Sequence, residues 1–274
     1  MERCAAIEQS IIKRFRKEIW SNFTKAVKEY KLINEGDSVC ACISGGKDSM
    51  LMAKCLQELH RHSHVPFELK FLVMDPGYSD ENRKRIEENA ALLNLPINVF
   101  ESNIFEVASV SGGSPCYLCA RMRRGHLYSQ AKALGCNKIA LGHHFDDVIE
   151  TLLLSMFYGS EIKGMMPKLH STNFEGMELI RPLYYVREES IIKWASANDL
   201  HFLACACRFT EKSAACESQS KRKEIKKLIA EIKNTNPNIE MNIFRSMYNV
   251  NIETLLGYKD SRGKSNFLDF YDLK

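Results

Sequence analysis

Between a β-type apolar run and an amphipathic stretch, the chain reads Ser44-Gly45-Gly46-Lys47-Asp48-Ser49. Two glycines let the backbone approach an anion closely, and the helix that follows offers unpaired N–H groups and a positive dipole end. Lys47 and two serine hydroxyls add donors that phosphate oxygens accept. The segment reads as a phosphate cradle. It is not a Walker loop, because the first glycine of G-x-x-x-x-G-K-[ST] would fall at Ala41, and G-x-G-x-x-G is absent. A Gly-Gly pair before a helix is also an ordinary tight turn; the lysine, the aspartate and the two serines favour the cradle.

Two other acidic segments belong at the same edge of the molecule. Asp75, in Met74-Asp75-Pro76-Gly77, ends a second strand, and Gly142-His143-His144-Phe145-Asp146-Asp147 ends a fourth and opens a helix. In open α/β sheets ligands sit at the carboxyl ends of strands near the switch in strand order. One of the paired aspartates reads as a helix cap, Asp146 the more readily. That leaves Asp147, with Asp48 second, to hold Mg2+ on a bound pyrophosphate, since this hard cation usually takes one or two carboxylates plus substrate phosphates. The two histidines read as structural.

Ten cysteines include the pair Cys116-Tyr117-Leu118-Cys119 and, further on, Cys205-Ala206-Cys207. Four thiolates fit a structural zinc site, which spacing alone puts first. The C-x-x-C is also a dithiol redox motif, and three thiolates would hold a [4Fe-4S] cluster with one iron open to an external sulfur. Cys40, Cys42, Cys55 and Cys136 read as core, while Cys4 and Cys216 carry no assignment. Arg121, Arg123 and Arg124 follow the C-x-x-C directly, so whatever the cysteines bind faces a cationic helix. The arginines either draw a negatively charged substrate or offset the charge of a thiolate-rich metal site.

The composition sets outer bounds. A chain of 274 residues that is 45% hydrophobic and 26% charged has material for a core and is too apolar to be disordered. No apolar run nears the roughly 18 residues of a membrane span, and the N-terminus lacks a signal-peptide apolar region. A soluble cytoplasmic protein is the expectation, with its cysteines mostly reduced. The net charge is only +4, but cations gather in residues 1–31, 116–128 and 221–233 on an otherwise acidic background. That distribution suits a polyanion such as nucleic acid, although any one window is equally a solvated helix face.

The elements that must carry these residues alternate. Ile7, Ile11, Ile12, Phe15, Ile19, Trp20, Phe23 and Val27 recur at spacings of three and four, the stripe of an amphipathic helix ahead of the core. Strands are expected over 38–43, 67–74, 97–100 and 138–141, with a last run over 179–185. Helices are expected over 48–60, 79–93, 119–134, 147–158 and 187–198. This is the pattern of a doubly wound, mainly parallel α/β sheet covered on both faces. We expect an N-terminal helix over 1–34, a nucleotide-binding domain over 35–200, and a cysteine-containing, basic helical appendage over 201–274.

SGGKDS resembles the PP-loop of the ATP pyrophosphatases. Together with the C-x-x-C followed by R-x-R-R-G, the run LGHHFDDVIETLL with MFYGSEIKGMMPK after it, and IRPLYYVREESI, it resembles the tRNA-cytidine 2-sulfurtransferase family over roughly residues 10–210. The resemblance implies the adenine-nucleotide α-hydrolase-like form of the α/β fold. It implies an ATP site at Ser44, Gly45, Gly46, Lys47, Asp48 and Ser49, to which Asp75 and Gly142 are added from the ligand edge. Cys116, Cys119 and Cys205 are then the [4Fe-4S] ligands. Family members show C-x-x-C at the later position where this chain has C-x-C, so the third ligand is Cys205 or Cys207.

The implied reaction is ATP-dependent thiolation of tRNA, with adenylation of the C2 oxygen of a cytidine, position 32, and its replacement by sulfur. Lys47, Asp48 and Asp147 are the expected catalytic residues, and Arg121, Arg123 and Arg124 the expected tRNA contacts. The expected cofactors are ATP, Mg2+ and the cluster. The expected partners are tRNA and a cysteine desulfurase or another sulfur donor, with no membrane; a homodimer is left open. The alternatives are a PP-loop 2-thiouridine synthetase and a zinc-stabilised RNA-binding module without turnover.

Overall fold

The computed structural model describes residues 2–102, 104, 115–203 and 217–271. Six strands, β1 (Ser38–Ile43), β2 (Glu68–Asp75), β3 (Ile97–Glu101), β4 (Lys138–Ala140), β5 (Lys168–His170) and β6 (Glu178–Ile180), form one sheet in the order β3-β2-β1-β4-β6-β5. All neighbours are parallel except β5, which runs antiparallel to β6 at the edge. Every residue of β1 is buried, as expected of a central parallel strand covered on both faces. The chain winds outward from β1 through β2 to β3 and then crosses to β4 on the other side. The strand order therefore switches between the carboxyl ends of β1 and β4.

Helices α1 (Glu2–Gln9), α2 (Ser21–Glu29), α3 (Lys47–His62), α4 (Asp80–Leu92), α5 (Pro115–Ala133), α6 (Phe145–Gly159), α7 (Glu188–Ala197), α8 (Glu217–Lys233), α9 (Ile239–Ser246) and α10 (Leu268–Tyr271) complete the described elements with a hairpin, β7 (Gly257–Asp260) and β8 (Gly263–Asn266). The chain divides into two compact units, Met1–Lys223 and Glu224–Lys274. The second contains α9, the hairpin and α10, with Phe244 buried. None of the helices is long and apolar enough to cross a membrane, among the described residues.

The N-terminal stripe departs from a plain α-helix. Two π-type stretches, Ser10–Arg14 and Arg16–Trp20, separate α1 from α2. The buried members of the stripe recur every four positions, and in an ideal α-helix a spacing of four drifts by about 40° per step. Wider turns cancel that drift. The outcome is that Ile7, Ile11, Phe15, Ile19 and Phe23 all stay buried in the main core with Val39, Ala41 and Trp194. Strand β5 and the hairpin have no counterpart in the sequence reading, because three or four residues are too few for a pattern of period two.

Candidate functional site

The loop between β1 and α3 is built to leave donors open. Gly45 sits at φ +84°, where a side chain would be strained and its Cβ would lie 2.6 Å from Ile86 Cγ1. The Ser44 amide donates to Ser49 Oγ at 3.1 Å, and Ser49 Oγ donates to the Gly46 carbonyl at 2.9 Å, closing a tight turn. Gly46 caps α3 with no side-chain hydrogen bond to its first amides. By contrast, Ser79 caps α4 and His144 caps α6 through their side chains. The first N–H groups of α3 thus remain for an anion, with the dipole end behind them. Gly142, at the end of β4, is forced small by contact: a Cβ there would meet the Ser49 amide nitrogen at 2.9 Å.

A cavity of about 540 Å3 opens at this switch point. The loop contributes Ser44, Asp48 and Ser49; Arg123 and Arg124 enter from α5, Gly142, His143 and Asp147 from the start of α6, and Arg181 from beyond β6. A second cavity, of about 750 Å3, lies on the α7 side and is lined by Ser44, Gly46, Lys47, Asp48 and Glu188, among others. The loop therefore forms a wall of both. Lys47 lines the second cavity, held by Glu188 at 3.1 Å and Asp48 at 3.2 Å. Burial works against its charge, but the two carboxylates outweigh that and hold its pKa above the ordinary value.

Asp48 and Asp147 have opposite electrostatics. Burial raises the Asp48 pKa, only partly offset by His144 and Lys47. Its Oδ1 is buried and makes no hydrogen bond, although Lys47 stands 3.2 Å away. For Asp147 burial also pushes upward, but the neighbouring histidines, the His144 amide and the Arg222 guanidinium carry the pKa below the ordinary value. Asp147 Oδ2 accepts from the His144 amide at 3.1 Å in a capping box, and Oδ1 lies 2.6 Å from Arg222. Asp146 is a different kind of anchor. It accepts from Arg187 Nη2 at 2.9 Å and from the Glu188 amide at 2.7 Å, fixing the start of α7 and so the position of Glu188.

Of the remaining residues named from the sequence, Asp75 is buried and lines neither cavity; it accepts from the amides of Gly77 at 2.8 Å and Tyr78 at 2.7 Å and pairs with Arg83 at 3.1 Å. Arg121 is exposed. Cys116 and Cys119 fall in the first turns of α5, seven and four positions before Arg123, and Cys205 and Cys207 lie outside the described residues. No group of three or more potential metal ligands occurs among the described residues. Cys40, Cys42, Cys55 and Cys136 are buried free thiols.

Sequence reasoning missed four site residues. Glu188 and Arg222 reach the loop's lysine and Asp147 from distant segments. His143 and Arg181 line the first cavity. Burial, then Arg181, pushes His143 down to about 4, so it is neutral at ordinary pH, and its Nδ1 has no hydrogen-bond partner. The signal for Arg181 was present in IRPLYY, a cation directly after an apolar strand at the ligand edge.

Comparison with known proteins places the chain in a family. The PP-loop domain family matches residues 15–207. The tRNA-cytidine(32) 2-sulfurtransferase of Vibrio parahaemolyticus serotype O3:K6 is 36% identical over 245 residues, covering 86% of this chain and 78% of that protein. The protein of the same name from Geobacter metallireducens is 36% identical over 248 residues, covering 89% of this chain and 93% of that protein. Among solved structures, the U34-tRNA thiolase NcsA from Methanococcus maripaludis, with its [4Fe-4S] cluster, matches with a TM-score of 0.67 at 19% identity, over 84% of this chain and 77% of that one. That likeness is one of fold.

Proposed function

The chain belongs to the tRNA-cytidine(32) 2-sulfurtransferase family of PP-loop proteins, and on that premise we propose that it adenylates the C2 oxygen of a cytidine in tRNA, position 32, and replaces that oxygen with sulfur. The observation that carries this reading is the shared cavity of about 540 Å3, in which the phosphate loop meets arginines from the helix that bears Cys116 and Cys119.

A carbonyl oxygen on a pyrimidine leaves poorly, and phosphorylation makes it a leaving group. ATP would lie with its phosphates on the uncapped amides of α3 and on the Ser44 hydroxyl once that proton turns from Ser49 Oγ, while Ser49 stays on the Gly46 carbonyl and holds the turn. The C2 oxygen attacks the α-phosphorus and pyrophosphate departs, its charge met by the helix terminus and by Lys47 once that ammonium turns from Glu188. Asp48 fits Mg2+: its buried Oδ1 lacks a hydrogen bond, and burial makes its negative charge costly without a cation. Asp147 has both oxygens engaged, so its part is to set the start of α6 and to oppose Arg222.

The thiolates of Cys116, Cys119 and Cys205 suit a [4Fe-4S] cluster. When bound, that group would present sulfide-level sulfur to C2 with AMP as the leaving group, the sulfur coming from a cysteine desulfurase or another donor, with a thiol reductant supplying the two electrons that sulfane sulfur needs. The base has to leave its stack to enter the cavity, so the protein grips the surrounding backbone, with Arg121, Arg123 and Arg124 facing the phosphates. These are cytoplasmic components, and the cytoplasm is the proposed location.

The test joins chemistry to spectroscopy. Protein purified without oxygen should be brown, with absorbance near roughly 400 nm and about four irons per chain. It should convert cytidine to 2-thiocytidine in tRNA with release of AMP. A colourless zinc protein, or tRNA from a deletion strain with unchanged thionucleosides, overturns the proposal; loss of a 2-thiouridine instead reassigns the substrate.

A further inference from the structure

The first cavity holds a buried cation that no described carboxylate pairs with directly. Arg181 is only 9% exposed and lies on the cavity wall with Ser44 and Ser49. Its Nη1 donates to the Met166 carbonyl, while its Nε is buried and without a hydrogen-bond partner. Among the described residues it forms no ion pair. The carboxylates that share the cavity are already opposed, Asp48 by Lys47 at 3.2 Å and Asp147 by Arg222 at 2.6 Å. Arg124 adds a like charge from α5, and His143 is kept neutral, so it contributes none. Burial lowers Arg181 to about 10, with Tyr184, Tyr128 and Asp147 opposing the shift and Arg124 adding to it, which still leaves it protonated at neutral pH. A desolvated guanidinium without a counter-ion is costly, and it persists where a ligand supplies the anion.

We propose that Arg181 is a catalytic residue that holds the α-phosphoryl group of the nucleotide, opposite the loop that holds the departing pyrophosphate. This rests on the adenylation read above. In that step a bond forms between the base's C2 oxygen and the α-phosphorus. The bond from that phosphorus to the bridging oxygen breaks, its electron pair leaves with pyrophosphate, and the base takes up the positive charge. No proton or electron has to be supplied. Negative charge spreads over the non-bridging α-oxygens as the bonds exchange, and a guanidinium on the wall of this cavity supplies the donors to meet it. Arginine suits this better than lysine because its planar fork can meet two oxygens while one arm stays on Met166.

The experiment uses the full-length protein, saturating tRNA and radiolabelled ATP, with single-turnover AMP formation followed by rapid quench. Arg181→Met should slow AMP formation by about 10^2- to 10^3-fold, the range for loss of one preorganised transition-state donor, with ATP binding nearly unchanged. Arg181→Lys should recover part of the rate, and added methylguanidinium should rescue Arg181→Ala. A purely structural role would lower thermal stability without such rescue, and that result overturns the proposal. So does a rate within tenfold of wild type, or a defect confined to tRNA binding. If wild type itself forms no AMP, the adenylation reading fails first, and this arm is read separately from the variants.

Discussion

The ammonium of Lys47 stands 3.1 Å from Glu188 Oε1, so the loop's own cation is directed towards α7 while Ser49 faces the cavity on the other side. Phosphate has to compete with that carboxylate for the lysine. The competition is set from a distance, because Asp146 fixes the turn from which Glu188 projects.

Replacing Glu188 by Gln removes the competitor. Both partners are about a quarter exposed, so the pair is worth about 1 kcal/mol after screening. Binding of a non-hydrolysable ATP analogue should tighten by about fivefold in titration calorimetry. Weaker binding would show instead that Glu188 holds Lys47 in its working position.

Asp48 and Asp147 should respond to pH with opposite sign. Asp48 has a folded pKa above its unfolded value, so its ionisation costs stability as pH rises past about 3.9. Asp48→Asn should melt with wild type near pH 3 and above it at pH 7, while adenylation is lost. Asp147 has a depressed folded pKa, so its contribution is present above about 3.9 and disappears as pH falls through the lower folded value. Asp147→Asn should therefore melt below wild type at pH 7, with the gap closing in acid. Parallel melting curves across pH would contradict both.

Gly142→Ala drives a methyl group against the backbone of Asp48 and Ser49, with contacts of 2.9 to 3.0 Å. Backbone cannot rotate away as a side chain can, so the loop and the start of α3 must move. A stability loss of about 1–3 kcal/mol is expected, with loss of nucleotide binding. Denaturant unfolding and calorimetry on the same sample would measure both, and a neutral result on both would show that β4 yields instead.

Arg121 and Arg124 of α5 should separate. Arg121 is exposed and lines neither cavity, so Arg121→Gln should lower tRNA affinity and its salt slope by somewhat less than one unit while sparing ATP. Arg124 lines the cavity, so Arg124→Gln should weaken both ligands. Filter binding across salt concentrations distinguishes them, and identical behaviour would remove the distinction.

Much was legible without coordinates. The continuous apolar run of β1, its glycine-rich exit and the helix after it are local patterns, and they fold where they stand because strand, turn and helix propensities act over a few residues. The apolar spacing of three and four from Ile7 to Val27 announced a helical stripe, but not the wide turns that keep Ile7, Ile11, Phe15, Ile19 and Phe23 in register with the core.

What the chain order alone determined was a phosphate cradle, a cysteine pair and the alternation that brings strand ends to one edge. The tertiary structure decided which distant side chains share that edge. Arg181 meets Ser44 because β4 and β6 lie in sequence beside β1, Glu188 meets Lys47 because Asp146 anchors α7, and Arg222 closes on Asp147 from beyond the cysteines. Those meetings depend on strand order and on the energetic demand that buried charge be opposed, and neither is written in any local stretch of residues.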